Sequence, residues 1–410
     1  MLRAGCGKAI ITPEDPKGHI LAGYIRRKGV SLGVHDDIYV KTLILETGEE
    51  KVVIASFDLL GIDEHLYEYS HHVAREIMGD ETVLLVAGTH THSAPATPFQ
   101  SPLLTFGYRA FSKDYFDYIL ESFEDAVVQA EKSLSPVRLQ MTRSKILGVA
   151  TDREDPSREI DDIASLIVMS STHGERCGFL HYAVHPTVLG PDNLYISRDL
   201  VGYAADYLEK HLGLKTCLFL NGAAGNVSTR FVRRQQSFGE AERLGTLLAE
   251  QVAENIPVNS RDWTEAVSLQ IQQLPVEIRL KAPLRKLEEA SQLHIEQRPE
   301  EGRKAEAVAE GVELIQRLAE LEDFPTHART VISFLRISDI FQSVWLPFET
   351  PSTLSLELRE AQAIPTLVVS YANGYFAYIA PSHSKGYEKV FELIEDEDRK
   401  KIFKMIRKLL

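Results

Sequence analysis

The sequence has few cysteines, no long apolar run and no excess of basic residues. Its three cysteines, Cys6, Cys177 and Cys217, are far apart and odd in number. They form neither a disulfide framework nor a zinc-binding spacing, and we expect small buried residues in a reducing cytoplasm. No segment approaches the roughly 20 apolar residues of a membrane-spanning helix, so no stable membrane insertion is expected. The N-terminal residues lack the basic and apolar regions of an export signal.

The charge balance excludes a further class of partner. The chain of 410 residues carries a formal charge of −14, which would repel nucleic acid. Apolar residues make up 44 % and charged residues 25 %, as in an ordinary globular protein with a large core. We therefore expect a small-molecule substrate, and composition leaves homo-oligomerisation open.

Short apolar runs alternate with helical periodicity over most of the chain, which favours an α/β fold with a mixed-sheet layered core. Predicted strands are 38–46, 51–57, 83–87, 163–169, 178–184, 216–220, 330–337, 342–346, 366–371 and 376–379. Predicted helices are 64–78, 113–133, 200–211, 239–255 and 388–410. The charged segment 282–322, broken at Arg298-Pro299, predicts a helical hairpin whose charges are given no functional role. Residues 1–410 are predicted to form one catalytic domain, with the hairpin as an excursion.

The most informative motif is Thr89-His-Thr-His-Ser93, which follows an apolar run. Side chains two residues apart on an extended backbone face the same side, so His90 and His92 can converge on one point. Two imidazoles converging at the end of a buried strand are typical of a metal site. The motif therefore predicts part of a metal centre.

A second apolar run leads into the segment His181-Tyr-Ala-Val-His185-Pro. His185 fits either a hydrogen-bonded core histidine or a metal ligand, and its own spacing leaves both open. His181 faces the same side of the predicted strand. It is a weaker candidate, because it lies near the start of the strand rather than at its end.

Three later segments place polar groups at the ends of apolar runs. The loop 221–228 is rich in small residues, so its N–H groups could face a developing oxyanion, but a plain glycine turn fits equally well. Its serine lacks the Gly-x-Ser-x-Gly setting of a triad hydrolase. Glu349 is either exposed or paired with a positive group. Tyr371, Tyr375 and Tyr378 surround an Asn-Gly turn, and each is either a core residue or part of the site.

Taken together and in order, these segments resemble the neutral/alkaline, non-lysosomal ceramidase family. The matching motifs are Gly5-Cys-Gly-Lys-Ala-Ile-Ile-Thr-Pro13, Gly33-Val-His-Asp36, Ser56-Phe-Asp-Leu-Leu-Gly61, Thr89-His-Thr-His-Ser93, Val184-His-Pro-Thr187, Asn221-Gly-Ala-Ala-Gly-Asn-Val-Ser228, Leu346-Pro-Phe-Glu349 and Asn373-Gly-Tyr-Phe-Ala-Tyr378. Each motif alone is weak, but their shared order covers most of the chain.

The resemblance implies a zinc ion (Zn2+) and a set of residues that act around it. The implied metal ligands are His90, His185, Glu349 and Tyr378. The implied substrate-facing residues are His92, which polarises the carbonyl, Ser228 beside the reacting centre, Tyr387 at the oxyanion and Arg153 in substrate binding. The implied reaction is hydrolysis of an amide-type N-acyl bond by metal-activated water.

The sequence departs from the family pattern at several positions. Asn226 stands where the family loop usually has Asp, and Phe348 stands where Gly commonly precedes the ligand Glu, which would narrow the floor of the site. We also expect the chain to lack the family's export signal and C-terminal β-sandwich. Arg230, Arg233 and Arg234 follow Ser228 and suit either a polar or anionic substrate or a solvated charge cluster.

These departures leave alternative functions open. One is a zinc-dependent esterase or lactonase on a small polar substrate, and another is an inactive metal- or ligand-binding protein. An amidohydrolase barrel would need regular eightfold strand–helix alternation, and the predicted hairpin argues against it. A metallo-β-lactamase-like site would need an Asp and a His soon after His92, where Ser-Ala-Pro stands instead.

Overall fold

A computed structural model describes residues 1–48, 50–256, 263–265, 268–296, 302–381 and 383–410. The strands are β1 (Arg3–Ile10), β2 (Gly33–Val34), β3 (Tyr39–Thr47), β4 (Glu50–Phe57), β5 (Val83–Gly88), β6 (Ser135–Lys145), β7 (Thr151–Asp152), β8 (Ile163–Ser171), β9 (Arg176–Tyr182), β10 (Tyr195–Ile196), β11 (Leu214–Asn221), β12 (Val227–Ser228), β13 (Leu269–Arg279), β14 (His327–Ile337), β15 (Phe341–Trp345) and β16 (Thr366–Val369). The helices are α1 (Glu64–Met78), α2 (Lys113–Lys132), α3 (Asp199–Leu212), α4 (Phe238–Ala253), α5 (Pro283–Glu296), α6 (Arg303–Ala319), α7 (Ser352–Ala361), α8 (Tyr387–Val390) and α9 (Asp396–Leu409).

Two mixed sheets stack face to face at the centre of the fold. The larger has the strand order β11-β9-β8-β6-β1-β3-β4-β5, and the smaller has the order β13-β14-β15-β16. Leu43, Ile54 and Leu85 of the larger sheet share one apolar cluster with Trp345 and Val369 of the smaller sheet. Helices α1 to α4 cover the outer face of the larger sheet. The predicted α/β fold with a mixed-sheet layered core is confirmed.

Most predicted elements lie within a few residues of the observed ones, but two predictions near the C-terminus are wrong. Residues 376–379 do not form a strand, because Asn373 and Ala377 have positive φ angles of 57° and interrupt the extended backbone. The closing helix begins at Asp396 rather than at 388, since the carbonyl of Leu393 accepts the amide of Lys281 outside any helix. The sequence prediction also missed β6, β13 and α7.

The predicted hairpin corresponds to α5 and α6, which pack against each other and contribute apolar residues to the core. The predicted break at Arg298-Pro299 lies outside the described residues. The assignment of 1–410 to one domain stays a prediction. Within the described ranges, no helix combines the length and the apolarity that crossing a membrane requires.

The ends of several strands meet at one edge of the sheets, and hydrogen bonds of Asn221 connect the segments that follow them. Its side-chain amide donates to the carbonyls of Thr89 (3.1 Å) and Val184 (2.8 Å) and accepts the amide of Val184 (3.2 Å). Its carbonyl accepts the amide of Ser370 (3.0 Å). The segments that follow β5, β9, β11 and β16 are therefore held side by side.

Helix α2 packs so closely on β1 that there is no room for a side chain at Gly7. A Cβ atom there would lie 2.1 Å from the carbonyl oxygen of Ala126. We expect Gly7→Ala to lower the free energy of unfolding by about 1–3 kcal/mol, since the helix would have to move away from the sheet. Urea unfolding followed by circular dichroism measures the change.

Gly239→Ala is the matched control, because no atom lies within 4 Å of a Cβ at that position in α4. Alanine should leave the stability unchanged or raise it by less than about 1 kcal/mol. Equal stability of Gly7→Ala and the wild type would contradict the close packing of α2 on β1.

Candidate metal centre

His90 follows β5 and presents one specific ring nitrogen to the site. Its Nδ1 donates to the carbonyl of Leu60 at 2.6 Å, and its ring stacks on Tyr371 with 3.8 Å between ring centroids. The Nδ1–H bond fixes the tautomer, so Nε2 carries the free lone pair. His90 also has a positive φ of 69°, which turns the chain sharply at the end of the strand.

His185 has the same arrangement three residues beyond β9. Its Nδ1 donates to the carbonyl of Ala224 at 2.7 Å, which leaves the Nε2 lone pair free. Burial lowers the pKa of His185 to about 4, so the imidazole is neutral at pH 7. Its Nε2 lies 3.1 Å from Oε2 of Glu349 and 3.4 Å from the hydroxyl of Tyr378.

Glu349 is 3 % exposed and completes a group of acceptor atoms. Its Oε1 accepts the hydroxyl of Tyr375 at 2.5 Å. Its Oε2 lies 3.5 Å from Nε2 of His90 and has no hydrogen-bond donor among the described residues. A buried carboxylate oxygen that lacks a donor and faces two imidazole nitrogens is unfavourable unless a cation lies there, so these residues fit a metal ion.

Tyr378 is held next to Glu349 by the backbone. The amide of Glu349 donates to the carbonyl of Ala377 (2.9 Å), and the amide of Ile379 donates to the carbonyl of Glu349 (3.1 Å). The structure therefore brings the four sequence-predicted ligands together, although they are spread over almost 290 residues. Their roles as ligands stay a prediction.

His92 lies at the same point. Its Nε2 is 3.3 Å from Nε2 of His90, and the ligand nitrogens of His90, His92 and His185 all lie within 4.8 Å of one another. Its ring packs against Tyr24, and a Cβ at Gly23 would lie 2.4 Å from that ring. The histidine triad could hold a metal ion. The resemblance predicts that His92 polarises the substrate rather than binding the ion, and its position next to His90 is compatible with that role.

The other predicted site residues also line the cavity. Arg153 forms an ion pair with Glu388, donates to the carbonyl of Gly225 (2.5 Å) and lies 5.2 Å from the ring centroid of Tyr378. Tyr387 begins α8, and its ring meets the ring of Tyr378 edge-on. Arg153 is thus anchored to protein groups, and its predicted contact with substrate stays a prediction.

Ser228 ends β12 and lines the same cavity. Among the described residues, the hydrogen-bond partner of its Oγ is the amide of Arg230, at 3.3 Å, and no histidine or carboxylate lies within reach of that oxygen. Ser228 therefore has no base that would activate it as a nucleophile.

The cavity beside these residues has a volume of about 350 Å³. Its walls include Ala307 and Glu310 of α6, and Glu310 forms an ion pair with Arg26 at 2.6 Å. One charge of the hairpin, to which the sequence analysis gives no functional role, therefore lies in the cavity wall. Helix α6 closes one side of the cavity because the hairpin folds back against the core.

Of the two interpretations left open for the loop 221–228, the structure favours a hydrogen-bonded turn over a row of free amides. The amides of Gly222, Ala224, Gly225 and Val227 all donate to main-chain carbonyls. The loop contributes to the site through the carbonyl of Ala224, which accepts a hydrogen bond from His185 and orients its ring. Sequence reasoning could not find this contact, because a backbone carbonyl has no residue signature.

The structure corrects two further predictions, for His181 and Phe348, and gives the contacts of Asn226. His181 does not reach the site, because its Nε2 bonds to the carbonyl of Val368. Phe348 is fully buried in the core and does not line the cavity, so it does not narrow the floor of the site. The side chain of Asn226 bridges Asp152 (2.7 Å) and the amide of Ser352 (2.8 Å), which makes it a structural residue.

Sequence reasoning left two tyrosines without a role that the structure now gives them. Tyr375 orients Glu349, and Tyr371 supports the ring of His90. The cluster of tyrosines around the Asn-Gly turn was the available signal, but aromatic residues in a core give the same pattern.

Comparison with protein families decides where the chain belongs. The model of the neutral/alkaline non-lysosomal ceramidase N-terminal region matches residues 2–218, which is more than half of the chain. The chain belongs to this ceramidase family. The match includes the segments that carry His90, His92 and His185.

Curated neutral ceramidases are similar to part of the chain. Neutral ceramidase B of Dictyostelium discoideum is 25 % identical over 211 residues, 47 % of this chain and 29 % of that protein. The neutral ceramidase of Pseudomonas aeruginosa is 25 % identical over 246 residues, 55 % of this chain and 37 % of that protein. The matched segment thus spans about a third of these ceramidases.

The fold is shared over nearly the whole chain. The crystal structure of the neutral ceramidase from Pseudomonas aeruginosa superposes with a TM-score of 0.75 at 19 % identity, covering 98 % of this chain and 73 % of that one. A ceramidase structure described as complexed with C2 gives a TM-score of 0.73 at 20 % identity. At such low identity the likeness shows the ceramidase fold.

The bond between Tyr375 and Glu349 gives a test of the metal centre. Tyr375→Phe removes the hydroxyl that orients the carboxylate, so zinc affinity should fall about 10- to 100-fold. Competition titration with a chromophoric chelator measures the affinity. Tyr182→Phe is the control, because the Tyr182 hydroxyl is buried without a partner among the described residues and does not line the cavity. Equal affinities of the two variants would contradict the role of Tyr375.

Proposed function

We propose that the protein is a zinc-dependent hydrolase that cleaves an amide-type N-acyl bond, with water as the nucleophile. The observation that carries the proposal is the convergence of Nε2 of His90, Nε2 of His185 and Oε2 of Glu349, because the buried Oε2 has no hydrogen-bond donor among the described residues. Membership of the ceramidase family supports the amide as the bond that is cleaved. Hydrolysis of an ester or lactone by the same site is the alternative.

The proposed zinc ligands are His90, His185, Glu349 and Tyr378, with His92 at their side. This set of imidazole and oxygen donors suits zinc. A bound zinc ion would polarise the substrate carbonyl and lower the pKa of water towards about 7. The carbonyls of Leu60 and Ala224 orient the two imidazoles, and Tyr375 orients the carboxylate.

The remaining groups of the cavity serve the substrate. Burial raises the pKa of Tyr387, so its phenol stays protonated at neutral pH and can donate a hydrogen bond to a developing oxyanion. Burial and the neighbouring imidazoles lower the pKa of His92 well below its usual value, so its ring is neutral. Ser228 accepts the amide of Arg230, which leaves its own hydroxyl hydrogen for a substrate oxygen or for water. Arg153 positions Tyr378.

The cavity suits a small molecule with an apolar part. Its volume of about 350 Å³ falls within the usual range of ligand pockets. Ile25, Leu60, Phe106 and Phe391 supply apolar wall, and water excluded by them would strengthen the polar interactions at the reacting carbonyl. A cytoplasmic location and a homo-oligomeric state stay predictions.

Elemental analysis of the purified protein tests the metal centre directly. The wild type should contain about one zinc ion per chain, and the double variant His90→Ala/Glu349→Ala should contain none and should lose hydrolysis of N-acyl amides. The control is His72→Ala/Glu76→Ala, which removes the same residue types from an exposed pair on α1. A folded wild type without metal after incubation with zinc would overturn the proposal. Zinc binding without turnover of amides, esters or lactones would leave only a binding protein.

The environment of Ser228 predicts that no covalent intermediate forms on it. Ser228→Ala should lower kcat about 10- to 100-fold through loss of one hydrogen bond, rather than abolish turnover. Rapid-quench kinetics and intact-protein mass spectrometry of the wild type should show neither a burst nor an acyl adduct. An adduct that disappears in Ser228→Ala would show a nucleophilic serine instead.

A further inference from the structure

The cavity has a cationic wall on the segment that follows Ser228. The amides of Val232 and Arg233 both donate to the carbonyl of Thr229, which forms a compact turn. This turn places Arg230 and Arg233 in the cavity wall. Arg234, the next residue, does not line the cavity.

The guanidinium of Arg233 is bonded to a neutral group. Its Nη1 donates to the carbonyl of Thr187 at 2.5 Å, and Arg233 forms no ion pair with a carboxylate among the described residues. Because Thr187 follows the proposed ligand His185 by two residues, this bond holds Arg233 at the metal end of the cavity.

Three acidic side chains of the same cavity are already paired with other arginines. Glu310 pairs with Arg26, Glu388 with Arg153 and Glu154 with Arg158, and the fourth, Glu349, is the proposed metal ligand. The positive charge of Arg233 is therefore not cancelled by a neighbouring carboxylate, although the whole chain carries a charge of −14. A half-buried arginine in this setting gains most from an anionic ligand.

We infer that Arg233 is a specificity-determining residue that selects substrates with an anionic group, a carboxylate or a phosphate, on the amine portion of the N-acyl bond. The apolar wall around Leu60 and Phe106 takes the acyl chain, and the turn at 229–233 takes the charged end. This inference rests on the proposed amide hydrolysis and names its substrate class.

Two pairs of substrates that differ mainly in charge test the inference. N-octanoylglycine is compared with N-octanoylglycinamide, and N-octanoyl-phosphoethanolamine with N-octanoylethanolamine. At least one anionic member should have a kcat/KM about tenfold or more above that of its neutral partner. A preference in the glycine pair would indicate a carboxylate ligand, and a preference in the ethanolamine pair would indicate a phosphate ligand.

Charge variants assign the preference to one side chain. Arg233→Gln should bring the two members of the preferred pair to near-equal kcat/KM, because the charge that separates them is gone. Arg233→Lys should keep part of the preference, because the charge remains. Arg234→Gln is the matched control, since it removes one positive charge from the neighbouring position outside the cavity and should keep the full preference. Zinc content is measured for each variant. If Arg233→Gln loses its metal, the comparison between Arg233→Lys and the wild type tests the inference instead.

Calorimetric binding to protein treated with a chelator separates Arg233 from the metal. The wild type without metal should still bind the anionic amide more tightly than the neutral one, and Arg233→Gln should not. Equal kcat/KM for both members of each pair in the wild type would overturn the inference and leave the hydrolase proposal intact. A preference that survives Arg233→Gln but disappears with the metal would show that the anion binds zinc, and would also overturn it. Selective binding that depends on Arg233, without hydrolysis of any amide, would retain the anion site and reject the proposed function.

Discussion

The site depends on the buried side chain of Asn221, which holds separate strand ends in register. Its amide bonds to the backbone of Thr89 and Val184, the residues that immediately precede His90 and His185. Its own carbonyl accepts Ser370, just before the tyrosine-rich turn. A planar amide offers donors and an acceptor in fixed directions, so it sets the relative position of the two histidines more closely than apolar packing would.

Once the strand ends are fixed, backbone carbonyls decide the chemistry of the side chains. Leu60 and Ala224 each accept an Nδ1–H, so both histidines present Nε2 to the same point. Tyr375 occupies one oxygen of Glu349 and leaves the other for that point. The acceptor atoms thus converge because their other atoms are already bonded, which is the usual way in which a protein prepares a metal site.

The surroundings of the proposed metal centre come from segments that the motifs do not include. Helix α6 closes one side of the cavity, and the turn after Ser228 adds positive charge. Gly23 leaves room for the ring of His92. Membership of the ceramidase family accounts for the shared fold. The charge and shape of the cavity follow from α6, Gly23 and the turn after Ser228.

The sequence by itself determined the α/β class, most strands and helices, and the segments that carry the four proposed ligands. Apolar periodicity and His-x-His spacing are local properties of the sequence. A polar residue at the end of an apolar run can also be recognised from the sequence alone. Only the tertiary structure decided that four amides of the loop 221–228 donate to main-chain carbonyls and that His181 bonds away from the site. It also decided that residues 376–379 leave the extended conformation and that α6 lines the cavity. These features depend on contacts between residues distant along the chain and on backbone groups that every residue shares, so no local pattern specifies them.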